Sequence, residues 1–441
     1  MPSPFSYSPI KLELSLSSLG LLTSSVLIAS YLYLPMTPSI KLMLETGKSS
    51  GATDLEVRFI ILGTLTYLSL LAMALIFSKG ITKRIPRNIA RCTFGALGLL
   101  SIINFFLVFI MDLPYLQHGS DLAYANITGN GTSHFPVIND RQLHFRCYSN
   151  PQSCLQHDGD VEGSLSCNNS KTLVFDAGTP FFSTIWGNVL ETLNQRMDNN
   201  QGGLSQVSDY CVYDRYGFGW SDYIGVSVPV VQTVDDLKQS LSQLGVNDNI
   251  ILVGWSYGGI IAQVYASMYP NSIDGVVLVD SMDIYDISVN MTQGIEHGKM
   301  SFHILTLLEV TGIPRLINSY PLESGYLGND VTLDKNLRTY SNHVYHTCNF
   351  LQSSWFELNT ILGALAYLKD MMYNYNQGGN SMPFLGDMPL VVLTATINSQ
   401  DNWIERQNEL AMLSTNHFHI INNYTDHFIP VHNSSAIVES I

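Results

Sequence analysis

Six short apolar runs between Lys171 and Asn423 constrain this chain more than any other feature. They are KTLVFDAG (171–178), SDYCVYDR (208–215), NIILVGW (249–255), DGVVLVD (274–280), MPLVVLTA (388–395) and HFHIINN (417–423). Five of the six are continuous β-branched or aliphatic runs, which a strand needs when both of its faces are covered. Helical patterns separate them. One is TVDDLKQSLSQLGV, with Thr233 expected as its N-cap and Val234, Leu237, Leu241 and Leu244 on one face. Strands alternating with helices predict a mostly parallel sheet with crossover helices on its faces.

Between the third run and the helical pattern GGIIAQVYASMYP, which Pro270 stops, lies Gly254-Trp255-Ser256-Tyr257-Gly258. A strand-serine-helix turn forces the serine into a strained backbone conformation, and the flanking glycines let neighbouring backbone pass close by. The same turn puts the Tyr257 amide at a helix N-terminus, where it can donate to a developing oxyanion. A serine hydroxyl is a weak nucleophile, so it needs a base that is itself oriented by an acid.

Four pieces in order, VFDAGTP, YDRYGFGWSD, GWSYGG and YTDHFIPV, make residues 171–441 resemble the α/β-hydrolase superfamily. The resemblance implies Ser256 as nucleophile and His427, in the loop after the last strand, as base; His417, His419 and His432 are expected in structural or surface places. The acid comes either after the strand that follows the nucleophile helix, which is Asp280, or after the next one, which is Asp401. Asp280 is favoured because TATINSQD lacks the usual Gly-x-x-Asp spacing, and Asp283 and Asp426 are weaker alternatives. The second oxyanion donor is expected at Gly178 or Thr179, although Asp176-Ala177-Gly178-Thr179 stands where many relatives have His-Gly. Arg215 and Trp220 are read as scaffold. The long insertion at about 282–387 is expected to form a helical cap over the site, lining a pocket for an acyl substrate. Epoxide and haloalkane chemistry on this fold resembles cases with an aspartate nucleophile, against which Ser256 argues. No cofactor is implied, and His343 and His346 near Cys348 lack the further ligands of a metal site.

Upstream of this region the texture is different. Only 13% of the whole chain's residues are charged, and here three apolar stretches, about 14–34, 59–77 and 92–111, reach the length of roughly 20 residues that crosses a bilayer. The fold class expected is therefore an α/β-hydrolase domain preceded by three transmembrane helices: a membrane domain at 1–112, a stalk and entry segment at 113–170, and the hydrolase domain at 171–441. The loop KGITKRIPRNIAR carries Lys79, Lys83, Arg84, Arg87 and Arg91 and no acid, which places it in the cytoplasm and the rest of the chain outside. Sequons at Asn126, Asn130, Asn168, Asn290, Asn423 and Asn433 agree with a luminal or extracellular domain bearing glycans. So do five cysteines beyond residue 111. Cys211 is expected to stay reduced in the core, leaving the pairing of Cys147, Cys154, Cys167 and Cys348 open.

From Asp112 onward 12 Lys and Arg face 32 Asp and Glu, a formal charge of −20. That field repels phosphate backbones and excludes nucleic acid as a partner. A channel or transporter is excluded too, because the three spans carry no intramembrane charge to form a pathway. The expected protein is a membrane-anchored serine hydrolase, ester-cleaving or lipase-like, acting on an ester, thioester or amide through an acyl-enzyme. The alternative is a catalytically silent hydrolase fold used for binding or adhesion.

Overall fold

The structure is a computed structural model, and it describes residues 121–150, 170–199, 204–284, 289–309, 333–397 and 402–441, apart from 122, 130 and 346. The three expected spans, Asp401, Asn130, Asn168, Cys154 and Cys167 lie outside the described residues. Among the described residues no helix is long and apolar enough to cross a membrane.

All six apolar runs form strands: β5 Lys171–Asp176, β6 Val207–Tyr213, β7 Ile250–Trp255, β8 Ile273–Val279, β9 Leu390–Ala395 and β10 His417–Asn422. Four short strands precede them, β1 Thr132–His134, β2 Val137–Ile138, β3 Arg141–Gln142 and β4 Phe145–Ser149. The main sheet has the order β1-β4-β6-β5-β7-β8-β9-β10, antiparallel across β1, β4 and β6 and parallel from β6 to β10. From β5 the chain moves outward to β6, then returns to the other side of β5 to form β7. The carboxyl ends of β5 and β7, with Asp176 opposite Gly254, therefore flank the point where strand order reverses, the place where open α/β sheets form a crevice.

Helices α1 Gly187–Asp198, α2 Val230–Gln243 and α3 Tyr257–Met268 make the crossovers. In α2, Val234, Leu237 and Leu241 are buried as their spacing requires, but the helix starts earlier than Thr233. Pro229 is its N-cap, because proline's fixed φ suits a helix entry, and Thr233 instead sits within the first turns with its amide bonded to the Pro229 carbonyl. Helices α4 Val289–Glu309, α5 Lys335–Tyr345 and α6 Cys348–Gln377 occupy the insertion, and α7 Trp403–Ala411 follows β9.

Two expectations are corrected. Residues 132–149, expected within a stalk, add β1 and β4 to the main sheet. These strands are only 3 and 5 residues long, too short to show a period. Cys211 is not reduced. It lies directly opposite Cys147 across the antiparallel β4–β6 pair, with Cα atoms 4.1 Å apart, and the two form a disulfide. An apolar run buries a disulfide as readily as a thiol, so burial alone did not reveal the bond. Closing a loop across 64 residues removes chain entropy worth about 4 kcal/mol. Non-reducing peptide mapping should recover a Cys147–Cys211 crosslink, and Cys147→Ala with Cys211→Ala should lower unfolding free energy by about 2–4 kcal/mol in denaturant titration.

Candidate active site

The turn from β7 into α3 closes tightly because glycines stand where backbone meets backbone: a Cβ at Gly254 would lie 2.5 Å from the Gly258 carbonyl oxygen. Ser256 has φ +54° and ψ −117°, a left-sided conformation that a non-glycine residue holds only when its surroundings fix it. Its amide donates to the Val279 carbonyl at 3.1 Å, and its own carbonyl accepts from Gly259 and Met282. A Cβ at Gly258 would lie 2.3 Å from the Asp176 carbonyl oxygen, and one at Gly178 would lie 2.8 Å from the Ser256 Cβ. The β5 loop and the serine turn thus touch where any larger residue would separate them. Tyr257 is the first residue of α3, so its amide has no partner within the helix.

His427 comes from the loop after β10. Its Nδ1 is 2.7 Å from Asp280 Oδ2, with the aspartate buried and the imidazole 44% exposed. Asp280 itself has φ +41°. Its Oδ1 accepts from the Ala395 amide at 2.9 Å and the Trp403 indole N–H at 2.8 Å. The Trp255 indole N–H donates to the His427 carbonyl at 2.8 Å, so the residue beside the serine holds the backbone of the histidine. Among the described residues no hydrogen bond joins Ser256 Oγ to the His427 ring.

The other described candidates are otherwise engaged. His417 Nδ1 meets the Ser414 carbonyl, His419 Nε2 meets Thr394 Oγ1, and His432 Nδ1 meets Asp426 Oδ1. Asp283 pairs with Arg406. A second Ser-His-Asp chain is present: Ser133 Oγ is 3.1 Å from His144 Nε2, and His144 Nδ1 is 2.7 Å from Asp214 Oδ2. Ser133 lies in the middle of edge strand β1, with no helix N-terminus behind it, and His144 is fully buried. Asp214 also accepts from the Ser183 and Trp220 amides, which makes this chain a fastener for the loop after β6.

Arg215 is more than scaffold. Its guanidinium pairs with Asp176 and with Glu357 of α6, donates to the Ala177 carbonyl at 2.6 Å and reaches the Gly178 carbonyl at 3.4 Å. In a trans peptide unit the N–H points opposite its C=O. Gripping the Ala177 and Gly178 carbonyls therefore turns the Gly178 and Thr179 amides away from the guanidinium. The Thr179 hydroxyl is bonded to Glu357, so the second expected donor residue is tied to the cap. Burial opposes the charge on Arg215, but Glu357 and Asp176 outweigh it and hold its pKa well above the ordinary value. Glu357 was invisible in the sequence, being one acid in an amphipathic helix, and its partner lies 142 residues away.

Beside this network, under α6, is a cleft lined by Tyr213, Tyr216, Tyr257 and Phe356, with Asp236 and Glu357 among its walls. Among the described residues no group of three or more His, Cys, Asp or Glu side chains is placed to hold a metal ion.

Comparisons with known proteins agree with this architecture. A family profile described as alpha/beta hydrolase fold matches residues 182–298. A mutant of a Pseudomonas aeruginosa protein, provisionally assigned as an epoxide hydrolase, superposes with TM-score 0.52 at 15% identity, over 71% of this chain and 95% of its own. The chain therefore has the α/β-hydrolase fold. An uncharacterized protein of Schizosaccharomyces pombe is 24% identical over 57% of this chain and 46% of its own length. An uncharacterized vacuolar membrane protein of Saccharomyces cerevisiae is 26% identical over 32% of this chain and 20% of its own. The chain thus spans less than half the length of either curated relative.

Removing the buried cation tests the network. Arg215→Met leaves Asp176 and Glu357 without their shared partner, and should cost about 3–5 kcal/mol in chemical denaturation, whereas Arg196→Met at an exposed pair should cost under about 1 kcal/mol.

Proposed function

We propose that the protein is a serine hydrolase that cleaves an ester, thioester or amide through an acyl-enzyme on Ser256. The observation that carries this reading is the 2.7 Å contact between Asp280 Oδ2 and His427 Nδ1, beside a serine held at φ +54° at a helix N-terminus. In the proposed reaction Ser256 Oγ attacks the acyl carbon and His427 Nε2 takes its proton. The oxyanion accepts from the Tyr257 amide and from that of Gly178 or Thr179. Collapse expels the alcohol, thiol or amine, to which His427 returns the proton. Water, activated by the same imidazole, then releases the acid and restores the serine. The ester-hydrolysing or lipase-like subtype fits the serine better than the epoxide chemistry named for the structural neighbour.

The protein is further proposed to be membrane-anchored, with its hydrolase domain in an oxidising lumen or outside the cell. The three apolar stretches, the vacuolar membrane relative and the Cys147–Cys211 disulfide support that reading. Of the sequons, Asn423 is exposed and suited to a glycan. Asn433 caps the last helix through its side chain and donates to Thr425, which leaves it poorly placed to receive one. Peptide-N-glycosidase should shift the mobility of the full-length protein, and Asn423→Gln should remove more of that shift than Asn433→Gln. An unshifted wild type would count against the topology.

A silent hydrolase fold used for binding is the second reading, favoured by the absence of a Ser256–His427 hydrogen bond among the described residues. Catalytic hydrogen bonds in free enzymes are often long and tighten only around substrate. Labelling with a fluorophosphonate separates the two readings. The wild type should label on Ser256, Ser256→Ala should not label while keeping its fold, and Ser133→Ala should label normally. Asp280→Asn should cut turnover by about 10⁴, while Asp401→Asn should leave it nearly intact. An unlabelled wild type points to the silent fold.

A further inference from the structure

We infer that Trp403 is a positioning residue for the acid-base pair: its indole N–H holds Asp280 Oδ1 so that Oδ2 faces His427. The inference rests on the hydrolase reading for its catalytic meaning, but the geometry stands by itself. A carboxylate turns easily about its last side-chain bond, so which oxygen faces the imidazole must be set by donors. Asp280 is 3% exposed, and water is therefore a poor source of them. Its Oδ1 receives two donors, the Ala395 amide at 2.9 Å and the Trp403 indole at 2.8 Å, leaving Oδ2 to His427 at 2.7 Å.

An indole N–H can only donate, so Trp403 cannot compete with Asp280 for the proton on His427 Nδ1. The Trp403 ring is itself pinned. It is buried at the first position of α7, after Asn402 in a left-handed conformation. The Arg406 guanidinium lies 5.0 Å over the ring and is tied to Asp283 at 2.8 Å. The indole arrives from the start of α7, which follows β9 in the chain, and braces an acid carried at the end of the neighbouring strand β8. Among the described residues, Arg406 and Asp283 lie on the Trp403 side, and Asp426, the residue before His427, is bonded to His432.

Trp403→Phe removes the N–H and keeps an aromatic ring under Arg406. With one donor gone, the Asp280 charge is less dispersed and favours the imidazolium more strongly. The midpoint at which the His427 Cε1–H resonance of the detergent-solubilised full chain, assigned with His427→Ala, responds to pH should therefore lie higher than in wild type. In an ester assay kcat should fall about 10–100-fold with KM nearly unchanged, the scale on which outer partners of an oriented imidazole act. A purely structural role would lower stability and leave the midpoint where it was, and that result overturns the proposal.

A second measurement needs no substitution. In the wild type the Trp403 indole N–H resonance should titrate with the midpoint of His427, and an indole indifferent to that titration also overturns the proposal. A shifted midpoint in a protein that fluorophosphonate never labels would sink the hydrolase reading and leave the positioning role standing. An unshifted midpoint in a protein that labels on Ser256 would do the reverse.

Discussion

A guanidinium taken out of water has to be answered on every side, and the answer given to Arg215 organises this domain. One carboxylate comes from β5, another from helix α6, and two backbone carbonyls come from the loop that follows β5. Tyr213 completes the circle by donating to the far oxygen of Asp176 at 2.6 Å. Because the groups surrounding the cation are themselves parts of the crevice, the loop facing Ser256 cannot relax without exposing a charge. Sheet, loop and cap are thereby referenced to a single point. The Phe218 and Tyr257 rings lie 5.5 and 5.6 Å from the guanidinium carbon and limit the entry of water.

How much of this was legible beforehand follows from the range of the forces involved. The six long strands could be read because burial on both faces leaves a continuous apolar record in the chain. Strands β1 and β4 left none: they are short, they lie at or next to the sheet edge, and β4 pairs with β6, a partner far along the sequence. Ser256 announced itself through glycines that only a tight turn requires. Asp280 could be favoured over Asp401 only on spacing, because its hydrogen bond to His427 spans 147 residues. Trp403 and Glu357 gave no local signal, since their importance lies wholly in what they reach. The disulfide was missed for the same reason: register, unlike hydrophobicity, is a property of two strands.

The two Ser-His-Asp sets in one domain show why residue identity alone does not define a candidate reaction centre. Both have a short His-Asp contact. Only Ser256 has a strained backbone, a helix N-terminus beside it, and a histidine with its ring partly open to solvent. Ser133 belongs to a relaxed strand, and its histidine is closed in by Phe135 and Trp220. The difference lies in the backbone and in solvent access, and it would persist if the side chains were exchanged.

His427 is carried by the segment after β10, the outermost strand, which is bonded on one side only and leaves Phe418 and Ile421 exposed. Strands at a sheet margin open at lower free energy than those at the centre. The proposed nucleophile directly follows the central strand β7 and the proposed acid follows β8, so the three members of the proposed triad sit in parts of the sheet of unequal local stability. If the margin carrying His427 opens before the centre does, the helices and the serine turn stay in place while the proposed proton acceptor leaves.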